Sequence, residues 1–209
     1  TLYIDNWYDL CPDGTVRRPD GSAPCDGTLL LDTSAGEFRG WKLSGGVWET
    51  SNKSAYDGVY YAYGRSIRVG GNAGKAAPWR ATLIAEDRVT GTAGDGCAIR
   101  ADGDIRMTGT PSLTPFLESI TLVAGRDLDM AGNAKTGDQG FSGLITAREQ
   151  FNITGNPSVS GALISQTPCN TAGSPVAAND IKGSVTVAYD GSLQVATDEG
   201  VRSVLWSEL

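Results

Sequence analysis

The chain has 209 residues and a mass of 21.8 kDa, contains no histidine and carries a formal net charge of −7. This length suits one domain able to bury a core. The missing imidazole excludes Ser-His-Asp and Cys-His hydrolases, HExxH proteases and His-ligated metal sites in their standard forms.

The acidic balance and the lack of any basic block argue against a nucleic-acid partner. No apolar run reaches the ~20 residues of a transmembrane helix, so no membrane span is expected. With Thr1 in first place, the expectation is a trimmed chain or a mature product whose targeting segment is gone.

Residues 1–55 hold Trp7, Tyr8, Trp41, Trp48 and the first two cysteines but no repeat, and they read as a cap or an irregular first coil. Cys11, Cys25, Cys97 and Cys169 are even in number with no CxxC, which disfavours zinc and favours disulfides. Three pairings are formally open. The preferred one closes the Pro-, Asp- and Gly-rich loop with Cys11–Cys25, leaving Cys97–Cys169, and it points to an oxidising, extracytoplasmic location.

From residue 56 onward, short apolar strands recur. Val59-Tyr-Tyr-Ala62, Thr82-Leu-Ile-Ala85, Thr121-Leu-Val-Ala124 and Leu144-Ile-Thr-Ala147 form one series, continued by Gly161-Ala-Leu-Ile-Ser165. Ala85 and Ala101 lie too close for a full repeat, so residues 86–101, with Cys97, read as an inserted hairpin.

A second series then follows: Ala101-Asp-Gly-Asp-Ile-Arg-Met-Thr-Gly109, Ala124-Gly-Arg-Asp-Leu-Asp-Met-Ala-Gly132 and Ala147-Arg-Glu-Gln-Phe-Asn-Ile-Thr-Gly155, each displaced by 23 residues from the last. Strict alternation puts Ile105 and Met107 on one face and Asp104 and Arg106 on the other, the period of a strand with one buried side. Residues 166–182 read as a loop, Ser184–Tyr189 and Ser192–Ala196 as strands, and 197–209 as a C-terminal cap. The predicted fold is all-β: a right-handed parallel β-helix, a solenoid with coils of about 23 residues, spanning 56–209 behind an irregular N-terminal cap.

The segments Gly58-Val-Tyr-Tyr-Ala-Tyr-Gly64, Trp79-Arg-Ala-Thr-Leu-Ile-Ala-Glu86, Leu122-Val-Ala-Gly-Arg-Asp127, Gly143-Leu-Ile-Thr-Ala-Arg-Glu-Gln150, Ile153-Thr-Gly-Asn-Pro157, Gly161-Ala-Leu-Ile-Ser165 and Trp206-Ser-Glu208 occur in this order. Together they resemble the C-terminal β-helical domain of bacterial PilX-type pilus-assembly and cell-envelope proteins. The resemblance covers roughly residues 56–209. It implies an extracytoplasmic structural or adhesive role among the subunits of a filament or pilus, and it supplies no catalytic residues.

The outward polar positions offer candidate chemistry. Asp104 and Asp127 stack on neighbouring coils, Asp127 and Asp129 share one outer face of a single strand, and these could serve a polysaccharide lyase or hydrolase, which needs two carboxylates about 5–9.5 Å apart. Asp127, Asp129 and Glu149 could instead hold calcium. Interleaved with Arg106, Arg126 and Arg148, they fit a solvated ion-pair ladder better, so no cofactor is expected and no catalytic residue is assigned.

Gly91–Gly96 and Gly70–Lys75 lack the phosphate-loop pattern. Asn52-Lys-Ser54 and Asn152-Ile-Thr154 fit the glycosylation sequon. Tyr61, Tyr63 and Trp79 form the candidate ligand or partner surface. The expected function is therefore a non-enzymatic structural or adhesive subunit, with a glycan-binding adhesin as the alternative.

Overall fold

The computed structural model describes residues 6–21, 23–50, 56–74, 77, 79–94, 96–132, 141–166, 169 and 179–188. The expected Ser192–Ala196 strand, the 197–209 cap and the Asn52 sequon lie outside these residues. Among the described residues the chain is all-β, with one short 3-10 turn at Thr33–Ala35.

The N-terminal region supplies β1 (Trp7–Leu10), β2 (Thr15–Arg18), β3 (Thr28–Asp32), β4 (Lys42–Ser44) and β5 (Val47–Thr50). There follow β6 (Gly58–Ala62), β7 (Ser66–Val69), β8 (Trp79–Ala85), β9 (Asp87–Thr92), β10 (Ala98–Asp102) and β11 (Ile105–Gly109). The remainder comprises β12 (Leu113–Thr114), β13 (Ile120–Ala124), β14 (Leu128–Gly132), β15 (Phe141–Ala147), β16 (Phe151–Gly155), β17 (Ser158–Ser165), β18 (Asp180–Gly183) and β19 (Thr186–Ala188).

One sheet runs in the order β19-β17-β15-β12-β8-β6-β1-β2-β3, with β13 also paired to β8 and β15. A second runs β18-β16-β14-β11-β7-β5-β4, and β9 and β10 form a separate antiparallel hairpin. Apart from the β1–β2–β3 and β4–β5 turns, the strand pairs of the two large sheets are parallel.

The right-handed parallel β-helix with coils of about 23 residues is corrected by this arrangement. The pairings of β8, β12, β15 and β13 close on themselves, giving a four-strand parallel barrel core with further sheets around it, and no solenoid is formed among the described residues. The physical reason is that the 23-residue phase is local. It holds from β11 through β14 to β16, where Ile105 pairs with Leu128 and Leu128 with Phe151, and between β6 and β8 and between β13 and β15, where Ala62 pairs with Ala85 and Ala124 with Ala147. Elsewhere the offsets change: Ile67 pairs with Ile105, Leu122 with Leu83, and Val159 with Val187. Within residues 1–55, β1 and β5 join the two sheets in parallel register with β6 and β7.

Inward side chains of both sheets meet in one core. Tyr8, Leu10, Tyr60, Leu83, Leu122 and Ile145 come from one side, and Trp48, Ile67, Ile105, Met107, Leu128, Met130 and Ile153 from the other. Full burial of each such aliphatic side chain contributes roughly 1.5–3 kcal/mol.

Tyr8, Trp41, Tyr60 and Trp79 cluster at the N-terminal end, with Trp41–Tyr60 ring centroids 5.1 Å apart and Tyr60–Trp79 5.9 Å apart. The strand-end alanines carry the ladder around the corner: the amides of Glu86, Gly125 and Arg148 donate to the carbonyls of Ala62, Ala85 and Ala124 at 2.9, 2.8 and 3.0 Å. Both preferred disulfides are present, Cys11–Cys25 and Cys97–Cys169. The second joins the β9–β10 hairpin region to the segment after β17.

Candidate interaction face and polar groove

Alternation fixes what the first sheet shows to the outside. Leu83, Leu122 and Ile145 point inward, so Ile84, Val123 and Thr146 point outward, and the register aligns them in one row with Tyr61 and Ile164. Tyr61–Ile84–Val123–Thr146–Ile164 is thus an outward row crossing five strands, with Tyr61, Ile84 and Val123 half-buried and Thr146 buried. It is most open at its end, where Ile164 is 46% exposed.

Tyr63 flanks the row, 38% exposed, its ring 6.3 Å from that of Tyr61 and tilted by 45°. Asp9 sits at the other end, in register with Tyr61. Burial raises the Tyr61 phenol above its ordinary range, and the Glu86 and Asp9 carboxylates push it the same way, so Tyr61 stays a neutral hydrogen-bond donor. Burial also raises Asp9, against bonds from the Cys25 amide at 3.1 Å and the Trp7 indole at 3.2 Å.

Trp79 is not part of this face, which corrects its place in the expected surface. It is 1% exposed, packs against Trp41 and Tyr60, and its indole N–H donates to the Tyr56 carbonyl at 2.8 Å. It stands inward on β8 with Leu83, whereas Tyr61 stands outward beside Ile84.

The second sheet shows a polar exterior. Glu49, Arg68, Arg106, Asp129, Asn152 and Asp180 share one row by register. Arg68 bonds Glu49 at 2.5 Å. At the far end of this row Asp127, Asp129, Gln150, Phe151, Asn152 and Asp180 line a groove of about 250 Å³. Its lining of carboxylates and amides offers mostly hydrogen-bond acceptors. One Asp127 oxygen accepts the Gln150 amide at 3.1 Å.

Asp104, the other candidate acid, accepts Arg126 Nε at 2.6 Å and the Asp127 amide at 3.3 Å. These two carboxylates therefore cap the backbone of the next strand, a task that fits their 23-residue spacing.

The calcium trio is not brought together. Asp127 and Asp129 face the groove, but Glu149 lies inside, 0% exposed, 3.6 Å from Arg100. Among the described residues no three acidic, Cys or His side chains are grouped to hold a metal ion.

Glu149 instead belongs to an ionic node that sequence reasoning missed. Arg100 bonds Asp87, Arg148 lies 3.7 Å from Asp87, and Arg126 reaches both Asp104 and, at 3.2 Å, the Arg100 carbonyl. At the hairpin's base Arg88 bonds Asp102 at 2.6 Å. The node clamps β9–β10 onto the corners that follow β8, β13 and β15. The acidic and basic residues of the insert, Asp87, Arg88, Arg100 and Asp102, were the signal: a four-charge hairpin beside charged corners.

Among the described residues no helix is long and apolar enough to cross a membrane. The two disulfides are compatible with an extracytoplasmic protein. Comparison with models of known protein families, with curated proteins and with solved structures finds no match.

Proposed function

We propose that this chain is a non-enzymatic structural or adhesive module of an extracytoplasmic assembly of the surface-filament or pilus type, engaging protein partners across the outer face of its larger sheet. The observation that carries this reading is the row Tyr61–Ile84–Val123–Thr146–Ile164, outward-facing, mostly apolar and ending in the exposed Ile164, because exposed apolar surface of this kind marks interaction sites. The use of Asp104 and Asp127 as backbone caps supports it, since both carboxylates have structural work.

Electron microscopy and sedimentation of the purified protein test the reading. Assembly that is lost in Ile164→Lys, with folding intact by circular dichroism, is the expected result. Release of reducing or unsaturated ends from acidic polysaccharides, abolished by Asp127→Asn, would replace it with an enzyme.

A second reading, a glycan-binding adhesin, draws on the exposed Tyr63 beside Tyr61. Retention on a glycan array that disappears in Tyr61→Ala and Tyr63→Ala would favour it, whereas an array on which wild type binds nothing removes it.

A further inference from the structure

The two large sheets end on unequal terms. At the N-terminal end the parallel strands are closed by turns, β1 into β2 and β3, and β5 into β4. At the other end β18 and β19 are each the last strand of a sheet, paired on one side only among the described residues. Their inward residues are core residues with no further described layer over them. Ile181 stacks on Ile153 and Val187 on Val159; the lower residue of each pair is 0% exposed, while Ile181 is 51% and Val187 48% exposed. An exposed core layer flanked by two strand edges unpaired among the described residues is a ready template for another β-strand.

The sequence of β18 says which strand fits. Asp180-Ile181-Lys182 reads as its own complement. If a second β18 runs antiparallel with Ile181 opposite Ile181, Asp180 of each chain faces Lys182 of the other. A two-fold axis through this point makes both contacts at once, as an isologous interface requires. Opposite charges directly across an antiparallel pair are favourable, and like charges are unfavourable.

Within one chain Lys182 already bonds Asp180 at 2.5 Å, but both side chains are exposed. An exposed pair of this kind is weak, so exchanging it for two cross-strand pairs costs little.

We infer that the β18–β19 end is a docking surface for a second copy of this chain, forming a two-fold dimer in which β18 pairs antiparallel with its symmetry mate about Ile181. The inference names a partner for the assembly role proposed above but does not need the Tyr61–Ile164 row. A dimer without binding at that row, or the reverse, tells the two apart.

The test is sedimentation and light scattering of the full chain over a concentration series. The Ile164→Lys chain, whose outer row is blocked, is expected to move from monomer to dimer and no further. Lys182→Asp places Asp opposite Asp twice, and Asp180→Lys places Lys opposite Lys twice. Each should raise the dimer dissociation constant roughly tenfold or more, and high salt should weaken the wild-type dimer.

The decisive arm mixes the two variants. One then carries a carboxylate at both flanking positions and the other an ammonium at both. Each fails alone, but across a mixed pair both contacts join opposite charges, and a heterodimer should form. Four results overturn the proposal: a chain monomeric at every concentration, open-ended polymers of the Ile164→Lys chain, charge variants that dimerise as their parent does, or mixed variants that stay apart. A monomer whose β18 amides resist hydrogen exchange would point to residues 189–209 of the same chain as the occupant, and it also overturns the dimer.

Discussion

Gly132→Ala is the substitution that most directly probes the core ladder. Gly109, Gly132, Gly155 and Gly183 stand in one column, paired by register from strand to strand. Gly132 has φ of +126°, and a Cβ built on it falls well under 3.0 Å from the Gly109 carbonyl oxygen, a separation that real Cβ atoms essentially never show.

Two costs add. A side chain at that φ is held in a region open almost only to glycine, at about 1–3 kcal/mol. The overlap is with backbone, which cannot rotate aside, and overpacking of this kind costs about 1–3 kcal/mol more. The obstructing oxygen cannot yield locally, because β11 is held to β14 over five consecutive pairs from Ile105–Leu128 to Gly109–Gly132.

The sum, roughly 2–6 kcal/mol, corresponds to a fall in Tm of about 5–20 °C for a domain of this size. Urea unfolding followed by circular dichroism reads it as a lower midpoint at unchanged slope. Gly94→Ala is the control: nothing lies within 4 Å of its added Cβ and its φ is ordinary. It should stay within about 0.5 kcal/mol of wild type, or gain slightly through the unfolded state. If Gly132→Ala and Gly94→Ala unfold together, the column is not what fixes the spacing of these strands.

Removing the Cys97–Cys169 bridge by a double Cys→Ala change should cost about 4 kcal/mol in the chain-entropy view, against about 3 for Cys11–Cys25, since it closes 72 residues rather than 14; denaturant midpoints of the two double variants give the order. Arg100→Met removes the closer of the two cations at Asp87 and the ion-pair partner of the buried Glu149, and should destabilise by about 3–5 kcal/mol. Adding Glu149→Gln to it should recover part of that loss, and strict additivity in the cycle would show the node is not coupled. Asp9, raised by burial, binds its proton more readily in the folded chain than in the unfolded one. Wild type should therefore gain stability relative to Asp9→Asn as pH falls through the raised folded pKa, levelling off below the unfolded value near about 3.9. Paired urea curves at neutral and acidic pH check the sign, and a relative loss on acidification would refute the assignment to burial.

Much of the ladder was legible because a constant offset between paired strands stamps the same residue classes on each. Ile105, Leu128 and Phe151, then Met107, Met130 and Ile153, repeat because each sits in the same inward slot. The extrapolation to one uniform coil failed where offsets changed, since sheet pairing demands only register, not equal connecting length.

The strand Asp180–Gly183 lies where the sequence suggested a loop for that reason, although Ile181-x-Gly183 repeats the spacing of Ile153-x-Gly155. Trp79 was legible too. Alternation along β8 places it with Leu83 and Ala85, on the opposite face from Ile84, and Ile84 is the partner of Tyr61. Glu149 was not legible. It follows the last residue of β15, where the chain turns a corner and two-residue parity no longer says which way a side chain points.

The insert gives these separate features a common logic. A two-stranded hairpin is marginal by itself, and β9 and β10 have few wholly buried side chains to hold them. The chain secures this hairpin twice by other means: covalently through Cys97–Cys169 and electrostatically through Arg100 and its carboxylates. Both ties reach past the strand on which the hairpin begins. The ionic node touches corners after β13 and β15, and the disulfide reaches beyond β17. The hairpin therefore braces successive parallel strands from outside, adding to the backbone and side-chain bonds along their corners. Loss of either tie is then felt first in the corners and only afterwards in the core.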